Sequence, residues 1–311
     1  MVSRADSAVP AAGGLFREGG GNQMRAVFRH ELSSYFTGVT GYVFSAFLLL
    51  FTGIYTMVYN LQSASVHFEY VLGSMSFVFL IIVPILTMRV LAEERRQKTD
   101  QLLYSLPLTM TQVVLGKFAA MLVVFAVPMA VICLYPVVLS AYGNVYLPAA
   151  YGAIVGFFFL GMALLAIGMY ISSVTESQAV AAGLCFVVML VNYFLSDLAG
   201  FASSTAYSSL AALALTALIV CGIVYLMTKN GFVSLILAAV LEAGLIGGYL
   251  WDSSRFEGLF PQIISQLSLF ARFYTIVNGV FDVTAIVYYL SVTGFFLFLS
   301  VQSLEKRRWS E

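Results

Sequence analysis

The sequence has no phosphate-binding loop of the form GxxxxGK[ST]. Its one Gly-Lys pair, Gly116 and Lys117, has no glycine at the earlier position the loop requires, so the chain does not hydrolyse ATP by that route. HExxH and GxSxG are also missing, and no two carboxylates share an aqueous neighbourhood, which leaves membrane hydrolysis without a residue set. Cysteine is scarce: Cys133, Cys185 and Cys221 each sit inside an apolar run with no CxxC spacing and no adjacent histidine. They read as small packing residues, not as disulfide partners or metal ligands. His30 and His67, the only histidines, form no constellation. Charged residues make up 10% of the chain, 15 basic against 15 acidic, so there is no surplus to attract nucleic acid or an acidic polymer. No cofactor bound directly by this chain is expected.

What the chain has instead is apolar length. Hydrophobic residues make up 61% of it, in several uninterrupted runs of about 20 residues, the length a helix needs to cross a bilayer. The 26 Phe and 18 Tyr suit lipid contact and membrane interfaces. The expected fold is an all-α polytopic transmembrane bundle of eight spans, at about 42–60, 71–91, 113–141, 149–173, 178–198, 206–228, 231–251 and 283–303. An even count puts both termini on one side. That side receives Arg4, Arg17, Arg25, Arg29, Arg89, Arg95, Arg96, Lys98, Lys117, Lys229, Lys306, Arg307 and Arg308; the other receives only Arg255 and Arg272. The positive-inside bias therefore places both termini in the cytoplasm. If residues 206–251 form a re-entrant hairpin, the count falls to six and the termini stay where they are. The turn Lys229, Asn230, Gly231 is suited to end a helix in the left-handed conformation.

Residues 1–21, rich in Ala, Gly and Ser, cannot bury enough surface to fold and are expected to be a disordered tail; they hold no apolar core, so they are not a cleavable signal peptide. Within 22–37, Met24, Val27, Phe28, Leu32, Tyr35 and Phe36 recur at helical spacing, which predicts an interfacial elbow helix leading into the transmembrane domain, 38–311. After Pro261, the residues Ile263, Leu267, Phe270, Tyr274 and Val277 predict an amphipathic helix over about 261–279, lying on the outer surface.

The only strongly charged segment between two long apolar runs is 87–117. Residues 92–106 are expected to form a short amphipathic helix ended by Pro107, with Thr109 or Thr111 capping the next span. On the residues alone two readings stay open: its basic residues anchor two helix ends, or the loop is offered to a partner. Ser173, Thr175, Glu176 and Gln178 can cap the fifth span. Gly152 with Gly156, and Gly244 with Gly248, form GxxxG pairs that let helices approach closely, with dimerisation as one use. Glu242 is the acid nearest the middle of an expected span. A carboxylate there costs about 2.5 kcal/mol or more, so it should face the bundle interior or a wet cavity, as a substrate or proton contact or as a protonated packing residue.

The order of motifs resembles a known family. TMRVLAEERRQKTDQLLYSLPLT followed by VVLGKF, then IGMYISSVTESQAVAAGLCF and YYLSVTGFFLFLSVQSLEKRRW, with HELSSYFTGVTGYVF near the start, are similar to the type-2 ABC exporter permeases of the gliding-motility GldF type. The resemblance runs from about residue 24 to the end, apart from the hairpin at 206–251, which is additional to a six-span core. It implies a bacterial cytoplasmic-membrane permease with no catalysis of its own, partnered by ABC ATPase subunits that bind ATP and Mg. A second copy or a related permease, membrane lipid and a GldG-like subunit with an outer domain complete the expected partners. It also implies that 92–106 is the coupling helix, with Glu93, Glu94, Arg95, Arg96, Lys98 and Thr99 facing the ATPase, and that Thr175 and Glu176 make a minor cytoplasmic contact. In the family a segment like 261–279 covers the outer end of the path. Two alternatives compete: an ABC assembly doing mechanical or regulatory work, and a proton-coupled transporter using Glu242.

Overall fold

A computed structural model of the chain describes residues 20–93, 109–201, 205–228 and 231–308. Every regular element among them is helical. That is what lipid demands of isolated apolar segments, since a helix satisfies its backbone groups within itself. Six helices are long and apolar enough to cross a membrane: Thr40–Gln62, Glu69–Thr87, Met110–Ser140, Leu147–Val174, Gln178–Phe201 and Val283–Arg307. We refer to the first five in order and to Val283–Arg307 as the last span. The elbow helix, Gly20–Thr37, precedes them, and the tail expected over 1–21 lies, up to residue 19, outside the described residues.

The second and fourth spans form the centre, each buried over 72% of its apolar window, against 28% for the first, 33% for the third, 17% for the fifth and 22% for the last. The outer ring therefore presents apolar faces to lipid or another subunit. Close approach at the centre depends on small residues. A Cβ at Gly168 would lie 2.5 Å from the Thr87 hydroxyl, and one at Gly161 would lie 2.5 Å from the Phe125 ring. Around Gly161, Phe79 stacks on Phe157 with ring centroids 4.4 Å apart and meets Phe125 edge-on at 5.8 Å.

The second span is not one continuous α-helix. It passes from Glu69–Met75 through a tight turn at Ser76–Val78 into Phe79–Thr87, where the Ser76 hydroxyl donates to the Gly73 carbonyl at 2.6 Å. A serine bonding back into the preceding turn tightens and bends a helix.

Residues 206–251 are two helices, Ala206–Thr228 and Gly231–Trp251, packed on each other; residues 229 and 230 of the expected turn lie outside the described residues. The segment Leu235–Trp251 bends by 119° into the helices that follow, so the span count is six, or seven if that bent pair crosses once. Glu242 is half-buried, and its Oε1 is buried with no hydrogen-bond partner among the described residues.

The amphipathic helix expected over 261–279 is two helices, Leu259–Leu267 and Leu269–Val277, joined at Ser268. The second of them does not rest on the surface: Phe270 and Phe273 are fully buried, packed into the bundle core. The Gly152 and Gly156 pair explains how. A Cβ at Gly156 would lie 2.9 Å from Ile276, and one at Gly152 would lie 3.3 Å from Phe281. This GxxxG face is occupied within the chain and is not available for dimerisation. The second pair is used less: Gly244 has nothing within 4 Å of such a Cβ, and Gly248 meets only Phe256, at 3.5 Å.

Candidate functional site

Most basic residues of the described chain, Arg255 and Arg272 apart, collect at one end of the bundle, where the elbow helix, the loop after the second span and the ends of the fourth and last spans meet. The elbow helix lies against the start of the third span, close enough that a Cβ at Gly116 would be 3.1 Å from Val27. The next residue, Lys117, is 2% exposed. Its ammonium donates to Glu31 Oε1 at 2.5 Å and to the Val90 carbonyl at 3.2 Å. An ammonium taken out of water is tolerated only when paired and hydrogen-bonded, so this residue ties three elements together: elbow, second-span loop and third span.

A second cation sits nearby. Arg89 grips Glu93 through both carboxylate oxygens, at 2.7 and 3.0 Å, and donates to the Thr40 hydroxyl at 2.8 Å. The hydrogen bond to Glu93 raises the Arg89 pKa above its ordinary value, outweighing the opposing effect of burial. Beside this fork is a polar cavity of about 340 Å³, lined by Glu31, Ser34, Tyr35, Thr40, Arg89 and Glu93 among others.

The segment between the second and third spans is fastened at both of its ends. At the entry, the Ser172 hydroxyl of the fourth span accepts from the amides of Leu91 and Ala92, at 3.2 and 3.1 Å, and lies 3.5 Å from the Met88 carbonyl. At the exit, Thr109 and Gln112 form a capping box: the Gln112 amide donates to the Thr109 hydroxyl and the Thr109 amide to the Gln112 side chain, at 3.3 and 3.2 Å. Thr109, not Thr111, is thus the cap. Of the expected helix 92–106 only Ala92 and Glu93 are described; Glu94, Arg95, Arg96, Lys98 and Thr99 lie outside the described residues.

The turn after the fourth span carries hydroxyls that bond back into that span. The Ser173 hydroxyl donates to the Tyr170 carbonyl at 2.7 Å and the Thr175 hydroxyl to the Ile171 carbonyl at 2.9 Å. Both hydroxyls bond back to carbonyls three or four residues earlier, at the end of the fourth span. Glu176 is exposed and 3.4 Å from Arg307, whose guanidinium also reaches the Val174 carbonyl at 3.3 Å. Ser303 adds a bond to the Ser173 carbonyl at 3.2 Å. The end of the last span is therefore latched to this turn.

Sequence reasoning places Glu93, Thr175 and Glu176 at this end but misses what holds them. Lys117 carries a readable signal, a lone cation inside the apolar run VVLGKFAAM. Ser172 carries none, since nothing in IGMYISSV separates it from Ser173.

At the opposite end the short helices are held by polar contacts. The Ser268 hydroxyl caps the second helix by accepting from Ala271, and Asn192 of the fifth span accepts from the Leu269 amide at 3.0 Å. Tyr289 donates to the Leu269 carbonyl at 2.9 Å. The Tyr274 hydroxyl lies 3.2 Å from that of Tyr193 and 3.0 Å from that of Ser76.

Among the described residues no cluster of His, Cys, Asp or Glu could hold a metal ion. Comparison with protein families gives a match over residues 23–276 to the model described as ABC-2 family transporter protein. No curated protein matches the chain significantly.

Proposed function

Because the chain belongs to the ABC-2 family of transporter proteins, and is on that ground a multi-pass permease component of an ABC transporter, we propose that it exports a substrate across the bacterial cytoplasmic membrane. Within the family we read it as GldF-like. Separate ATPase subunits bind ATP and Mg, and two permeases, either two copies or one copy with a related chain, form the path. A GldG-like subunit with an outer domain is a further partner. Export, and not uptake, rests on the resemblance.

The observation that carries the reading is the fastening of the segment between the second and third spans. Ser172, Lys117 and the Thr109 capping box tie its ends to the fourth span, the elbow and the third span. A push that reaches either of these ends is then passed to the buried second and fourth spans. ATP binding favours one arrangement of the ATPases, and a permease rigidly attached to them follows. In this account Glu93, Glu94, Arg95, Arg96, Lys98 and Thr99 face the ATPase, and Thr175 and Glu176 make the minor contact. Glu93 does so while held by Arg89.

Purification of the tagged chain from its native membrane in mild detergent, with mass spectrometry, tests this. An ABC ATPase should copurify and be lost from Glu94→Ala and Arg95→Ala variants. Retention of full transport with no ATPase in several detergents would overturn the proposal. One observation favours a second reading: the buried Glu242 oxygen, without a hydrogen-bond partner among the described residues, is the kind of group a proton-coupled transporter uses.

A further inference from the structure

A cavity of about 410 Å³ opens at the outer end, between the fifth span and the second short helix, lined by Tyr193, Ser196, Asp197, Tyr274, Thr275 and Asn278. Its volume is in the range of small-molecule sites. The lining carries one carboxylate and no basic residue. Arg272, on the same helix, is engaged elsewhere: its Nε donates to the Gln266 carbonyl at 3.0 Å and its guanidinium lies 4.3 Å above the Tyr288 ring.

The polar groups divide into those already committed and those left over. Tyr193, Tyr274 and Ser76 share a chain of hydroxyl contacts, at 3.2 and 3.0 Å. The side chains of Ser196, Asp197 and Asn278 make no hydrogen bond or ion pair among the described residues. Asp197 is exposed near the end of the fifth span and has no cation paired with it among the described residues. Next to it stands an aromatic panel: the Tyr193 ring meets Phe77, Phe194 and Phe270 with centroids 5.5, 5.2 and 5.0 Å apart. A fixed ring face beside a carboxylate is the chemistry that recognises an ammonium ion. The wall opposite is fixed too, by the Asn192 and Tyr289 contacts to Leu269.

We propose that this cavity binds the ammonium group of an amphiphilic amine, with Asp197 as counter-ion, the Tyr193 ring as wall, and Ser196 and Asn278 as acceptors for its N–H groups. The inference rests on the permease reading only in calling the amine a cargo; the binding chemistry stands apart from it. The amine has two sources, an exported amphiphile or the headgroup of a resident aminolipid.

Equilibrium binding of radiolabelled octylammonium to the purified chain in maltoside micelles tests the site, with octanoate and octanol as matched probes. Octylammonium should bind at least tenfold more tightly than either. Asp197→Asn should reduce its affinity about tenfold, Asp197→Glu should restore it, and Tyr193→Phe, which keeps the ring, should leave it within about twofold. Displacement by added phosphatidylethanolamine would support the site and assign it to a lipid headgroup; binding indifferent to that lipid would support it and assign it to cargo. Equal binding of the three probes, or full binding by Asp197→Asn, would overturn it. The assay needs no ATPase, so a failed copurification and a failed cavity are told apart.

Discussion

Replacing Glu31 by alanine takes from the buried Lys117 ammonium a carboxylate 2.5 Å away and keeps its bond to the Val90 carbonyl. Stripping one partner from a buried ion pair costs about 3 to 5 kcal/mol. Glu31 is itself 17% exposed, so some water reaches the pair, and the lower figure, about 3 kcal/mol, applies here. Lys117→Met should cost less, about 1 kcal/mol, because methionine fills most of the space of the lysine stem and the freed Glu31 turns to water. The double variant should then resemble Lys117→Met alone, since no ammonium remains for Glu31 to neutralise. The coupling energy between the two sites comes to about 3 kcal/mol, well outside the error of additivity. Unfolding in mixed detergent micelles, followed for the four proteins of the cycle, measures it. A Glu31→Ala loss below about 1 kcal/mol, or a double variant equal to the sum of the singles, would refute the argument that the elbow is fastened through Lys117.

Gly168→Ala places a methyl group 2.5 Å from the Thr87 hydroxyl and should destabilise the chain by about 1 to 3 kcal/mol, read by the same unfolding assay. Gly156→Leu should loosen the second short helix, raising protease cleavage near residues 269–277, and leave the oligomeric state unchanged; a shift in oligomer with no change in cleavage would contradict the packing seen against Ile276. Thr109→Ala removes the capping box at the exit of the charged segment and should cost about 1 kcal/mol. Asp282 has its pKa lowered by hydrogen bonds from the Thr284 side chain and amide. A lowered folded-state pKa gives stability that is present above the unfolded value of about 3.9 and is lost as pH falls through the folded value. Thermal stability of the wild type should therefore drop in the acid limb below about pH 4, and Asp282→Asn should flatten that limb by lowering stability at pH 7, where the carboxylate's contribution is fully present, with little change below both pKa values.

The membrane class and the six-span core were legible because each is written in composition and in run length. Apolar runs of about 20 residues leave a lipid-exposed chain few alternatives to helix. Interruptions were harder to read. The breaks at Ser76–Val78 and Ser268 depend on hydroxyls finding carbonyls and amides on their own or a neighbouring helix, and periodicity is the same on either side of them. The docking of 269–277 into the core was hidden for a related reason. Its amphipathic spacing fits an interface and a groove equally, and what decides is the Gly152 and Gly156 face more than a hundred residues earlier. At the basic end, Glu93 was picked out by charge, but its partner Arg89 was read only as an anchor, and Ser172 passed unnoticed as one serine of a pair. Asp197 was not singled out in the sequence, because its place beside Tyr193 and Tyr274 depends on the packing of a helix far along the chain.

The central claim is that force enters this permease through the segment after its second span. ATP turnover by the copurified complex in lipid nanodiscs, measured with the wild type, Glu94→Ala, Arg95→Ala and Glu242→Ala, tests it most directly. The account predicts wild-type turnover for Glu242→Ala and a fall of about tenfold or more for the two segment variants. Unchanged turnover in the segment variants, with transport abolished by Glu242→Ala, would contradict it and move the driving force to the proton gradient.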